Sequence, residues 1–392
     1  MKQVAPYIVG RRNILHGVMM GGALLMAGCT VIPKGPPKSV DVPPEDKPLP
    51  PGLPSDGQRH RVALLVPMTG PTAGVGESIA NAANMAVLDT GGQKIRLTVY
   101  DTTGGVVAAA TKAIADGNKL ILGPLLGEDV KLVSAIGKQA KVPLLSFSND
   151  ASVAGNGTYI MGFTPAQSMA RIVAFARTQG KRRFSAMAPV GAYGERALAA
   201  FETAVEASGG TMIATQSYDR NSGGIIGAVA RINRAGPADA ILIADNGRVA
   251  LQAVPLLRRN GNPNAQILGT ELWNTDASLP RVPLMHGAWF ASVSDGVFSQ
   301  LSTKYRTRFG KAPFRLASLG YDAILLVTKV SVNWKMGTSF PLQLLEDRGG
   351  FAGIDGALRF SPNGIAERAL EVQQISPTGA KIISAAPKVF SD

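Results

Sequence analysis

The chain has 392 residues, 45% of them hydrophobic, enough material for two domains with sizeable cores. Its 40 Lys and Arg against 27 Asp and Glu give a formal net charge of +13. The basic residues are scattered, densest at Lys181-Arg182-Arg183 and Arg258-Arg259, without interleaved aromatics. They therefore read as solvated faces rather than a nucleic-acid footprint, with attraction to an anionic membrane or cell-wall polymer as the weaker alternative. One cysteine excludes an intrachain disulfide and any cysteine-built metal site.

Lys2, Arg11 and Arg12 form a positive N-terminal region, followed by a mostly apolar segment at 14–27 that is short for a bilayer span. The segment ends Leu25-Met26-Ala27-Gly28-Cys29. This resembles the lipobox of bacterial lipoproteins, which implies a signal peptide over 1–28 and lipidation at Cys29. Thr30, where Asp would retain such a protein at the inner membrane, implies a periplasmic protein anchored to the outer membrane by its acyl chains. Arg11-Arg12-Asn13-Ile14-Leu15 also resembles a twin-arginine export signal, with the general route as the default. Residues 29–58 are dense in Pro and poor in apolar side chains, as expected of an extended tether, or alternatively of a proline-motif ligand.

Residues 62–66 form a short apolar run that suits a strand buried on both faces. A Gly, Pro and Thr-rich loop follows at 68–76, and from Glu77 apolar residues recur three or four apart as in a helix. Strand, loop and helix then alternate. Strands are expected at 95–100, 120–122 and 142–146, with helices at 106–116 and 128–140. Glu128 and Asp129 read as an exposed helix start. After the apolar segment 159–163, Thr164 and Pro165 are placed to cap a helix.

A second series runs through strands at 184–188, 212–217, 240–244, 266–268 and 287–292. Helices are expected around 172–176 and at 195–207, 225–232 and 248–258, with a loop at 190–194. Tyr305, Phe309 and 321–330 are helical. Residues 353–360 and 370–375 alternate like a closing hairpin across Ser361-Pro362-Asn363-Gly364. The pattern is an α/β fold of two lobes with parallel sheets built from right-handed βαβ units.

Catalytic chemistry is hard to find. The three histidines His16, His60 and His286 have no metal-spaced partner. Gly70-Pro71-Thr72-Ala73-Gly74 lacks the Lys-Ser/Thr of a phosphate loop, and Gly74-Val75-Gly76 lacks the third glycine of a dinucleotide fingerprint. The expectation is a non-enzyme without catalytic residues, metal or cofactor. Instead, polar and aromatic residues gather at strand ends, where open α/β sheets bind ligands. The candidate cleft residues are Thr69, Gly70, Pro124, Leu125, Ser146, Phe147, Ser148, Asn149, Tyr193, Asp245, Glu271, Trp273 and Tyr321. Ordinary turn and capping roles are the competing reading for each.

The motifs Val62-Ala63-Leu64-Leu65-Val66-Pro67-Met68-Thr69-Gly70-Pro71, Leu122-Gly123-Pro124-Leu125, 142–150 and Gly162-Phe163-Thr164-Pro165 resemble the leucine/isoleucine/valine type of periplasmic binding protein. They resemble more closely the penicillin-binding-protein activator lipoproteins that share that fold. The resemblance covers about 61–383. It implies a periplasmic binding protein type 1 architecture, two Rossmann-like lobes joined by three crossings. The first lobe is expected at 59–164 and 293–335, the second at 165–292 and 336–392.

The loop Gly123-Pro124-Leu125-Leu126-Gly127 has no hydroxyl for a ligand carboxylate, and Phe147 is expected to narrow the cleft. Tyr193-Gly194 is kept, with Glu271 available for an ammonium group. The resemblance thus implies a lipid-anchored regulator of a peptidoglycan synthase. The alternative is the substrate-binding protein of an ABC permease, carrying an amino acid or another small polar solute.

Overall fold

The computed structural model describes residues 56–387 except Thr275, together with Phe390. The expected signal peptide, Cys29 and nearly all of the tether lie outside the described residues. The tether's last residues, Asp56–Gln58, form a short 3-10 helix.

The first lobe opens with β1 (His60–Val66), α1 (Ala73–Asp89), β2 (Ile95–Asp101) and α2 (Val106–Ala115). It continues through β3 (Leu120–Leu122), α3 (Gly127–Ala140), β4 (Leu144–Ser146) and β5 (Thr158–Ile160). These strands make one parallel sheet in the order β2-β1-β3-β4-β5. Strand β1 is buried on both faces, as its unbroken apolar run requires. Val62, Leu64 and Val66 enter a core with α1, while Ala63 and Leu65 enter a separate core with α2.

The second lobe follows with α4 (Pro165–Thr178), β6 (Arg183–Pro189), α5 (Ala192–Ala207), β7 (Thr211–Tyr218) and α6 (Ser222–Ala235). Then come β8 (Ala240–Ile243), α7 (Gly247–Arg259), β9 (Gln266–Gly269) and β10 (Trp289–Ser292). The chain returns to the first lobe for α8 (Gly296–Phe309) and α9 (Ala317–Ser331). Asn81 of α1 donates to the Tyr305 hydroxyl of α8 at 3.0 Å. Helix α9 crosses α1 at Gly320, where a Cβ would lie 2.4 Å from the Ile79 carbonyl oxygen.

The C-terminal region departs from expectation. Strands β11 (Phe351–Gly353), β12 (Gly356–Phe360) and β13 (Ala366–Arg368) form a small antiparallel sheet. Strand β14 (Glu371–Ser376) instead pairs antiparallel with β10, and β15 (Gly379–Ser384) pairs with β14. The second sheet therefore runs β15-β14-β10-β9-β8-β6-β7. The expected hairpin of 353–360 with 370–375 is corrected: β12 turns back onto β13. The Ser361 N–H and hydroxyl bond the Ile365 carbonyl and close that turn within five residues. Of the residues 336–392 expected in the second lobe, β14 and β15 join its sheet, but β11 to β13 do not. Phe351, Leu358, Phe360 and Ala366 share the core of β1, α1 and α9, because their alternating apolar side chains find an uncovered face there.

Two helices begin earlier than their apolar periodicity indicates. Helix α1 starts at Ala73 rather than Glu77, and α5 at Ala192 within the expected loop. Small residues carry no periodic signal, but they permit close contact. A Cβ on Gly76 or Gly194 would lie 1.8 Å from the Pro67 or Pro189 carbonyl oxygen respectively. Thr164 has the extended backbone of an N-cap, yet its side chain makes no capping bond and accepts from Gln167 instead.

Because α1 and α9 touch through backbone at Gly320, Gly320→Ala should destabilise the chain by about 1–3 kcal/mol. Denaturant unfolding would measure this, and an unchanged midpoint would mean that the helices separate freely.

Candidate functional site

Three segments link the lobes, between β5 and α4, between β10 and α8, and between β13 and β14. They converge on one cavity of about 40 Å³. Phe163, Thr164, Gln167 and Ser168 line it from the first crossing, Ser292 and Val293 from the second, and Arg368 and Leu370 from the third. Arg315, just ahead of α9, and Glu271 and Asn274, in the loop after β9, complete the wall.

The cavity is bounded by buried charge. The Arg368 side chain is 1% exposed, with its Nη1 3.9 Å from Asp355 and 4.0 Å from Asp322. Its Nη2 donates to the Met161 carbonyl at 2.8 Å, fixing the third crossing to the first. Arg315 reaches Asp355 at 2.7 Å and Asp295 at 3.3 Å. Both guanidinium groups lie near the Phe163 ring, Arg368 at 4.9 Å and Arg315 at 5.8 Å from its centroid. Gln167 accepts from the Arg368 N–H at 2.8 Å and donates to the Ala366 carbonyl. One further ion pair, Asp150–Arg196 at 3.2 Å, bridges the first lobe to α5.

Burial and the neighbouring Asp355 charge push the Asp322 carboxyl up to about 7. Burial likewise raises Asp295, Glu371 and Glu271 above the ordinary carboxylate range. Several buried polar atoms of residues lining the cavity have no hydrogen-bond partner: Glu271 Oε2, Asn274 Oδ1, and Nε and Nη1 of Arg368. The acceptors belong to the second lobe and the donors to the third crossing.

Of the residues expected in the cleft, Glu271 lines this cavity, and Tyr193 reaches it by donating to Glu271 Oε1 at 2.9 Å. The others serve their own lobes. Thr69 is exposed and bonds Asp101 at 2.8 Å, and the neighbouring Gly70 turns the chain at φ 74°. Ser146 donates to the buried Pro124 carbonyl at 2.9 Å, and Ser148 accepts from the Asp150 N–H. Leu125 packs on the first-lobe core, and Asn149 is half-buried in the following loop.

Phe147 does not narrow the cleft; it is buried in the core of β1. Trp273 is likewise buried, its indole N–H donating to the Asp245 carbonyl at 2.8 Å. The Asp245 carboxylate is spent on Arg220 at 2.9 Å and on the Tyr218 hydroxyl at 3.0 Å. Tyr321 turns away to Asp89 at 2.7 Å.

The cavity residues overlooked in the sequence are mainly those on the crossings. Gly162-Phe163-Thr164-Pro165 was conspicuous as a motif, but its place at a crossing is not a local property. Arg315 and Arg368 carried little signal, since Arg368 sits beside Glu367 and three residues before Glu371, and neither arginine shows its distant partners locally. Among the described residues, no group of three or more His, Cys, Asp or Glu is arranged to hold a metal ion, and no helix is long and apolar enough to cross a membrane.

Asp322 holds its proton more tightly folded than unfolded, so it favours the native state fully at low pH. That contribution is lost as pH rises from about 4 through about 7. Unfolding free energies at a series of pH values should fall across this window, and Asp322→Asn should flatten the slope. An equally steep slope in the variant would place the titration elsewhere. Arg368→Met leaves Asp322 without a cation, Asp355 keeping Arg315, and should cost about 3–5 kcal/mol.

Comparisons with known proteins agree with this architecture. A model of the periplasmic binding protein family matches residues 60–380. An uncharacterised protein of Rickettsia prowazekii (strain Madrid E) is 27% identical over 174 residues, covering 44% of this chain and 47% of that relative, so the match spans about half of its length. A periplasmic ligand-binding protein of a branched-chain amino acid ABC transporter from Burkholderia xenovorans LB400 superposes with a TM-score of 0.70 at 17% identity. That match covers 84% of this chain and 96% of that one. Full-length LpoA from Haemophilus influenzae superposes with a TM-score of 0.64 at 19% identity, over 83% of this chain and 59% of that one. At such identities the solved structures establish the fold alone. The family match over most of the chain, joined to two parallel α/β lobes meeting at three crossings, places this protein in the periplasmic binding protein family.

Proposed function

We propose that this protein is the solute-binding component of an ABC transporter, taking a small polar solute that carries both an acid group and a hydrogen-bond donor. Support comes from the unmatched polar atoms across the cavity. Buried donors and acceptors are normally paired, and each unpaired one costs about 1–3 kcal/mol. Here Glu271 Oε2, Asn274 Oδ1 and Arg368 Nε belong to residues lining the cavity and are buried without a hydrogen-bond partner, while Arg368 Nη1 has only Asp322 and Asp355 at 4.0 and 3.9 Å. A solute with an amine or hydroxyl at one end and a carboxylate at the other would satisfy both walls. An amine at Glu271 would also pull its carboxyl back toward the ionised form that burial opposes.

A second reading is a non-transport role as regulator of a peptidoglycan synthase. The favouring observation is size. The cavity of about 40 Å³ has room for about three waters, whereas ligand pockets are typically several hundred Å³. The first-lobe hydroxyls Ser146 and Ser148 are also already spent on their own loops. Transport by this site therefore requires the lobes to part around the crossings before a solute enters.

Thermal unfolding against a panel of amino acids and small carboxylic acids separates the readings. A cognate solute at 100 times its Kd should add about 2.7 kcal/mol of stability. Glu271→Gln should weaken that solute at least about tenfold while leaving the unliganded chain folded. A flat response across the whole panel would sink the transport reading, and recovery of a peptidoglycan synthase on the immobilised chain would then favour the second.

A further inference from the structure

The amino ends of the first sheet's strands, opposite the cleft, carry a surface unused by the solute site. All five strands are parallel, so their starts lie side by side. Arg61 stands in register with Arg96, the Lys119 N–H donates to the Arg61 carbonyl at 3.0 Å, and the Lys94 carbonyl accepts from the His60 N–H at 2.9 Å. Arg61, Lys94 and Lys119 are exposed. Like charges in neighbouring strand positions oppose sheet formation, although Arg61 Nη1 also donates to the Asp116 carbonyl at 2.9 Å.

The turn after α9 meets the same edge. Trp334 stacks on His60 with ring centroids 3.9 Å apart. This leaves Val332 and Met336 projecting, 74% and 47% exposed, on either side of the exposed Lys335. Arg59, Arg61, Lys119 and Met336 line one groove of about 220 Å³. The described chain also begins at this edge, since Asp56–Gln58 runs straight into β1. The N-terminal stretch containing Cys29 therefore joins the folded part here.

We propose that this edge docks on the headgroups of an anionic phospholipid membrane. Lysine and arginine meet lipid phosphates, and Val332 and Met336 enter the boundary between headgroups and acyl chains. Projecting apolar side chains within a basic surface suit an interface that is charged outside and apolar beneath. A soluble anionic polymer would satisfy the charges but not the apolar tips. Docking turns the carboxyl ends of the first sheet, and the crossings with them, away from the membrane.

Vesicle co-sedimentation tests this with the full chain carrying Cys29→Ala, so that no acyl chain contributes. Vesicles of phosphatidylglycerol and phosphatidylcholine should bind the protein, those of phosphatidylcholine alone should not, and binding should fall with added salt. Joint replacement Lys94→Gln, Lys119→Gln and Lys335→Gln should weaken binding about a hundredfold. Val332→Asp with Met336→Asp should weaken it further than the change in charge explains. A matched triple on the second lobe, Lys181→Gln, Arg182→Gln and Arg258→Gln, should leave it unchanged. Equal loss in both triples would reduce the effect to net charge and overturn the proposal. So would equal binding to neutral vesicles, no vesicle binding, or binding to isolated peptidoglycan in place of vesicles.

Discussion

The arrangement of the two lobes depends on a buried ionic network where the three crossings meet. Arg368, on the third crossing, bonds the first through the Met161 carbonyl and lies about 4 Å from Asp322 and Asp355. Arg315 connects Asp355 to Asp295 at the end of the second. Burying such charges is costly, and the mutual attraction offsets that cost only while every member stays in place. The network is therefore a poor source of net stability but a strict condition on geometry, because displacing one crossing strands a charge on another. The raised Asp322 carboxyl expresses the same conflict, with desolvation the largest cause.

That condition also shapes the cavity. Arg368 has more donors than the network can use, and Glu271 and Asn274, which also line the cavity, have unpartnered acceptors. The polar mismatch is what the proposed solute would satisfy, and the small volume follows from drawing the crossings together. In that proposal recognition rests on the joining segments more than on the strand-end loops. The hydroxyls and carboxylates of those loops are consumed locally, as Ser146 is by Pro124 and Asp245 by Arg220.

Parallel strands also give each lobe two unlike ends. At the carboxyl ends lie the loops and the crossings. At the amino ends of the first sheet, residues that precede or open each strand are forced together by register, as with Arg61 and Arg96. One topological fact thus separates the end that carries the crossings from a basic end at which β1 begins.

Much of the fold was legible in the residues. Unbroken apolar runs such as 62–66 and 240–243 identify strands buried on both faces, and the alternation with helical periods identifies parallel α/β lobes. Helix starts rich in Ala and Gly, Ala73 to Gly76 and Ala192 to Gly194, left no periodic trace. The destination of β12 and β13 was invisible for another reason. Alternation shows that a strand has an apolar face, but not which core offers the complementary surface.

The candidate site divides in the same way. Glu271 and Tyr193 were recognisable as polar residues at strand ends, where local chemistry is suggestive. Phe147, Trp273 and Asp245 looked equally suitable, yet tertiary packing spent them on cores and internal pairs. Arg315 and Arg368 acquire their role from carboxylates distant in sequence that burial brings within ion-pair reach. The sequence by itself determined the two-lobed class, because hydrophobic period is a local property of the chain. Only the tertiary structure decided the site, because a buried charge is defined by its partners and these come from three separate crossings.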